Sequence, residues 1–169
     1  AHICELINPD EIERMAVALS EVKGRVYMVG LGGSLANCIH MAADLRKLCD
    51  IDAVAPNLAE MTAWANDEGW ERMFEGHLIG EHLDALFVLS VGGGTDSVST
   101  PITKSIQYAR MMGMDIFGIV GPNGGETGKH GDYVIRIPAP EGRVTPHTEA
   151  FQAVIWHCLV SHPLLQKRP

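Results

Sequence analysis

The chain has 169 residues, 46% of them hydrophobic, enough for one well-buried core and too few for two ordinary domains. Its 13 Lys and Arg stand against 21 Asp and Glu, a formal charge of -8, and no basic run occurs, so the electrostatic footprint of a nucleic-acid binder is missing. A small anionic ligand is not excluded, because backbone amides and hydroxyls hold a phosphate without lysines.

Asn8-Pro9-Asp10-Glu11 reads as N-cap, first-turn proline and capping-box glutamate of a helix whose Ile12, Met15, Ala16 and Leu19 recur at helical spacing until Lys23-Gly24. An apolar strand, Arg25 to Val29, then runs through Gly30-Leu31-Gly32-Gly33-Ser34 into a helix reaching about Leu48. The unpaired amides and partial positive charge of such a helix start suit Gly32, Gly33 and Ser34, with Ser34 as cap, to a phosphate or sugar hydroxyl. The turn lacks the third glycine of a dinucleotide fingerprint and the Gly-Lys-Ser/Thr of a P-loop, and a plain tight turn is the bland alternative.

Ile51 to Ala55 forms a short second strand ended by Pro56, and Thr62 to Leu78 reads as a helix broken at Asn66-Asp67-Glu68-Gly69. Asn66-Asp67 is either an Asx turn or a polar pair offered to a substrate. Ala85 to Ser90 is a continuous apolar run of the kind buried on both faces of a parallel sheet. Val91-Gly92-Gly93-Gly94-Thr95-Asp96-Ser97 follows as a second glycine and hydroxyl loop. There Ser90, Thr95 and Ser97 either donate to a ligand or satisfy local turns.

A helix from about Pro101 to Met112, a strand Asp115 to Val120, a turn Gly121 to Gly125, a strand Tyr133 to Ile137 and a helix from about His147 to Ser161 complete the chain. Alternating strands and helices imply a parallel α/β sheet over residues 1–169, with an N-terminal helix in 1–24 and the sheet and its helices in 25–169. Ligands of such sheets bind at the carboxyl ends of the strands, where both loops fall.

His40 and Asp44, four apart on one helical face, are metal ligands, an acid and base pair, or a hydrogen-bonded pair in a polar crevice. Glu149 and His157 on the last helix offer a complement. Their separation of about 12 Å along a straight helix makes it hard for one metal to take both, unless Glu149 sits on an irregular turn or subunits share the site. His147 and His162 flank this region as bystanders. His130 reads as an exposed loop residue, and His2, His77 and His82 stand outside any constellation. Cys4, Cys38, Cys49 and Cys158 show no CxxC spacing and read as buried free thiols. With no charged-then-apolar leader at Ala1 and no membrane-length apolar run, the expectation is a reducing cytoplasm and no membrane partner.

Taken in order, these motifs resemble the sugar isomerase (SIS) domain proteins, and among them the phosphoheptose isomerases that interconvert sedoheptulose 7-phosphate and a heptose 7-phosphate. The resemblance runs from about Arg25 to the last helix. It rests on Gly30 to Ser34 with His40 and Asp44, Ala65-Asn66-Asp67, Leu89 to Thr95, Gly121-Pro122-Asn123-Gly124-Gly125, and Glu149 with His157. It implies a flavodoxin-like SIS fold, an α/β three-layer sandwich around a five-stranded parallel sheet.

By that resemblance Gly32, Gly33, Ser34, Ser90, Val91, Gly92 and Thr95 bind the substrate and its phosphate, and Asn66 and Asp67 contact the sugar. Asp44, Glu149 and His157 would catalyse an enediol isomerisation. His40, Asp44, Glu149 and His157 would hold zinc, in a homotetramer with active sites between subunits. The family usually has Asn at Leu31, Glu at Asp44, Ser at Gly92 and Gln at Glu149. The donors missing at Leu31 and Gly92 favour a competing expectation, a noncatalytic SIS protein that senses a sugar phosphate or binds a protein partner. Two imidazoles and two carboxylates favour the enzyme, since a scaffold has little use for four costly polar groups in one crevice.

Overall fold

A computed structural model describes residues 2–80 and 84–167; His82 lies outside them. Five strands, β1 (Val26–Val29), β2 (Ala53–Val54), β3 (Ala85–Ser90), β4 (Asp115–Val120) and β5 (Tyr133–Arg136), pair in the order β2-β1-β3-β4-β5, every pair parallel. Seven helices accompany them: α1 (His2–Leu6), α2 (Pro9–Glu21), α3 (Gly33–Cys49), α4 (Leu58–Asp67), α5 (Thr100–Met112), α6 (Gly125–His130) and α7 (Val144–Val160). Among the described residues no helix is long and apolar enough to cross a membrane.

Strand alternation divides the interior into two cores. Val26 and Met28 of β1, Phe87 and Leu89 of β3, and Phe117 and Ile119 of β4 face α2, α3 and α7. Tyr27, Val29, Leu86, Val88 and Ile116 face α4 and α5 from the other side. The result is the three-layer sandwich expected from the strand and helix alternation. On the first face Phe87, Phe117 and Tyr133 stack across β3, β4 and β5 with ring centroids 5.7 and 5.0 Å apart.

The helix start expected at Asn8 is present: its side chain accepts from the Asp10 N–H at 3.0 Å, with Pro9 in the first turn. Two expectations are corrected. The helix read over Thr62 to Leu78 starts earlier, because Asn57 caps it by accepting from the Ala59 N–H at 2.9 Å, and it ends at Asp67; a 3-10 turn, Trp70–Arg72, follows. The His130 region is α6 rather than loop, although His130 is exposed. Its glycines give it little intrinsic helicity, and it is held by Glu126 and Thr127 N–H groups donating to the Gly94 and Gly93 carbonyls at 2.8 and 2.9 Å. The short α1 was not foreseen, because five residues carry too little periodicity.

His77 packs into the second layer, edge-on to Tyr27, with its Nε2 3.1 Å from the Met28 carbonyl. Burial pushes its pKa down from the ordinary 6.5 to about 4. Between those values the unfolded chain binds the proton and the folded chain does not, so stability falls as pH drops through this window, by at most about 1.4 kcal/mol per pH unit. In His77→Gln, which keeps a donor for Met28, urea unfolding between pH 6.5 and 4 is expected to show a flatter acid limb than wild type; parallel limbs would exclude His77 as a source of acid sensitivity.

Candidate functional site

The turn from β1 into α3 is made by Gly32, whose φ of 59° is open to a residue without Cβ. Gly32 is the cap and has no side chain to give, so the first amides of α3 are left for an outside partner. Ser34, expected to cap, instead sits inside the first turn. It is buried, and its hydroxyl has no hydrogen-bond partner among the described residues. The cap lies two residues earlier than expected, at Gly32, which places Ser34 at the second helical position.

Gly33 is required by a neighbour. A Cβ there would lie 2.4 Å from a carboxylate oxygen of Glu149, so this side chain from α7 lies directly against the start of α3, where the helix dipole attracts a carboxylate. Asn37 secures the placement: its Nδ2 donates to the Glu149 carbonyl at 2.9 Å and to Gln152 Oε1 at 3.0 Å. The buried Gln152 in turn donates to the Ile119 carbonyl at 3.3 Å, tying α7 to β4.

The loop after β3 forms the other wall. Ser90, nearly buried, accepts from the Gly93 N–H at 3.0 Å, which leaves its O–H free to donate. The main chains touch at Gly93, where a Cβ would meet the Gly124 carbonyl, and Thr127 donates to the Gly93 carbonyl through its N–H at 2.9 Å and its hydroxyl at 2.8 Å. Val91 is half-buried and Gly92 exposed with open space above it. The Thr95 hydroxyl accepts from the Val98 N–H at 2.9 Å and donates to the Val98 carbonyl at 3.1 Å, the local-turn alternative for that residue.

Further along α3, His40 and Asp44 meet His157 of α7, and one ligand atom from each lies within 4.8 Å of the others. His40 Nε2 is 3.6 Å from Asp44 Oδ2. His157 Nδ1 lies 2.7 Å from the Ala153 carbonyl, so its N–H donates there and Nε2 carries the lone pair. Two imidazole nitrogens and one carboxylate, with a fourth position open, fit zinc. Glu149 is not among these converging groups. It sits at Gly33, seven residues or about 10 Å down α3 from His40, as its spacing from His157 foretold.

Asn66 and Asp67 are exposed at the end of α4, where the Asn66 amide donates to Asp67 Oδ1 at 2.7 Å. His162 is 2.9 Å from Glu13 and joins α2 to the segment after α7. Two neighbours of the site, Asn37 and Trp156, were not foreseen. Asn37 was legible as the third member of an i, i+3, i+7 stripe with His40 and Asp44; Trp156 reads as an ordinary core residue until its rings are seen. A larger cleft of about 450 Å³, lined by Trp64, Phe74, Leu78 and Tyr108, lies between the 3-10 turn region and α5 and contains neither glycine loop.

In fold the chain is similar to the sugar isomerase domain of the RpiR transcription factor from Sphaerobacter thermophilus, which superimposes with a TM-score of 0.62 at 13% identity over 95% of this chain and 80% of that one. The chain is 31% identical over 155 residues to the phosphoheptose isomerase of Mycobacterium tuberculosis, covering 85% of this chain and 76% of that protein. It is 30% identical over 145 residues to the one from Rhodospirillum rubrum, covering 80% and 73%. The solved phosphoheptose isomerase of Neisseria gonorrhoeae superimposes with a TM-score of 0.80 at 22% identity, over 90% of this chain and 84% of that one. No family model matches the chain. The chain belongs to the phosphoheptose isomerase family.

The contact between Gly33 and Glu149 is open to a double-mutant cycle read by urea unfolding. Gly33→Ala is expected to be less favourable in the wild-type background, where the flexible Glu149 side chain must move off the start of α3. In Glu149→Ala it should be neutral or stabilising, because alanine is the better helix former. Equal effects in both backgrounds would mean that the carboxylate does not rest on Gly33.

Proposed function

We propose that this protein converts sedoheptulose 7-phosphate to a heptose 7-phosphate aldose through an enediol. The observation that carries this reading is the Glu149 carboxylate, brought from α7 onto the start of α3 beside amides that lack a helical partner. Glu149 takes the proton from C1 of the ketose, the electron pair becomes the C1–C2 double bond of the enediol, and the proton returns at C2. The main-chain amides at Gly32 to Ser34, at the cap and first turn of α3, orient the sugar oxygens. The Ser90 hydroxyl and the Val91 to Thr95 loop hold the phosphate, and Asn66 and Asp67 contact the sugar chain.

His40, Asp44 and His157 form a donor set that would hold a zinc ion, which when bound supplies Lewis-acid polarisation of the substrate carbonyl. In the metal-free protein His157 Nε2, left with its lone pair by the bond to Ala153, passes the hydroxyl proton between O1 and O2. Asp44 orients His40.

We further infer a homotetramer whose subunits complete one another's sites. The His40 side chain is 61% exposed, and Ile39 and Val154 beside it are 53% and 46% exposed on α3 and α7. Glu149 is the one carboxylate of α7, and an exposed surface of this helix with so little charge suits burial in an assembly. All four cysteines are free, Cys38 and Cys49 buried as expected but Cys4 and Cys158 exposed, and free thiols suit a reducing cytoplasm.

An NMR turnover assay on sedoheptulose 7-phosphate, with the protein as purified, with added zinc and after chelation, is expected to show aldose formation. No turnover in any state of the folded protein would overturn the reading. His157→Ala should abolish turnover while leaving the fold intact, and unchanged activity would remove His157 from the machinery. Ser90→Ala should lower kcat/KM about tenfold or more through loss of a hydrogen bond to a charged group. An equal loss with the unphosphorylated ketose would remove the phosphate role.

A further inference from the structure

Trp156 is fully buried, and its indole N–H has no partner among the described residues, a desolvation cost that a leucine or phenylalanine in the same core would avoid. The ring has two neighbours that an aliphatic side chain would serve less well. The His157 imidazole lies on its face, with centroids 3.5 Å apart and planes 30° from parallel, and the His40 ring meets it edge-on at 4.7 Å. The two imidazoles are themselves 5.7 Å apart and near perpendicular.

His157 is exposed, and apart from the indole its ring is held by the bond from Nδ1 to the Ala153 carbonyl. The imidazole of an exposed histidine turns broadly about χ2, and a flat wall removes that freedom.

We propose that Trp156 is a positioning residue: it fixes the His157 and His40 rings in the orientation that brings a nitrogen of each together with the Asp44 carboxylate. The positional claim stands on ring geometry alone. Its consequence for metal affinity rests on the zinc reading above.

The test uses the full chain, stripped with a chelator, in wild-type form and as Trp156→Phe, which keeps a flat face, Trp156→Leu, which does not, and Trp156→Met, a second flat-face deletion in case the leucine variant fails to fold. Side-chain ¹H–¹⁵N NMR at a pH where the imidazoles are neutral is expected to show His157 as a single Nδ1–H tautomer in wild type and Trp156→Phe. Mixed tautomers are expected in whichever deletion variant melts as a folded protein. A deletion variant with the wild-type tautomer, or a wild type already mixed, overturns the proposal, because a role confined to core packing would change unfolding and leave the tautomer alone.

Cobalt(II) titration, read by visible absorbance, is the second arm. Loss of about tenfold or more in affinity is expected in the deletion variants, with recovery in Trp156→Phe. A wild type that takes up no cobalt while the tautomer difference persists would sink the zinc reading and sustain the positioning role.

Discussion

In an all-parallel sheet every connection must cross a face of the sheet, and the order β2-β1-β3-β4-β5 makes β1 and β3 neighbours whose following helices leave to opposite sides. Helix α3 joins the core with α2 and α7, whereas α5 joins the core with α4. Because the two helices diverge, the carboxyl ends of β1 and β3 open onto a crevice that neither covers. The chemistry follows from that opening. The turn at Gly32 exposes helix amides, the loop at Gly93 is pressed against Gly124, and α7, on the same side as α3, delivers Glu149 to one end of the crevice and His157 further up.

Where burial and periodicity act together, the sequence is informative. The strand Ala85 to Ser90, buried throughout, and the strand Asp115 to Val120 match their expected bounds, and the pairing of His40 with Asp44 follows from their spacing. Elements that owe their form to tertiary contacts are harder to read. Helix α6 has two glycines in six residues and exists because main-chain groups of the neighbouring loop hold its first turn. The start of α4 depends on one Asn57 hydrogen bond, which the apolar pattern does not mark.

The same distinction holds in the site. Helical spacing separates Glu149 from His157, yet only the packing of α7 on α3 reveals that Glu149 comes to rest at Gly33. Ser34 has the chemistry of a cap and lies two positions too late to act as one, a shift that boundary reasoning does not resolve. Trp156 carries no sequence mark of its tie to two imidazoles, because a tryptophan inside an apolar helix reads as core, and it is core as well.

On the proposed reading, a chain of net charge -8 would receive a phosphosugar through directed dipoles rather than surplus cations: helix amides, the Ser90 hydroxyl and a glycine-rich main chain. Glu149 adds negative charge to this crevice, which disfavours the ligand unless the carboxylate takes part in the reaction. Proton transfer through that carboxylate is therefore the central claim, and isomerisation in D₂O tests it directly. With Gly32 and Gly33 exposed at the rim, the base exchanges with solvent, so aldose carrying deuterium at C2 is the expected product. Aldose formed with no deuterium at C2 would mean that hydrogen passes between the carbons without an exchanging base, and would contradict the role of Glu149.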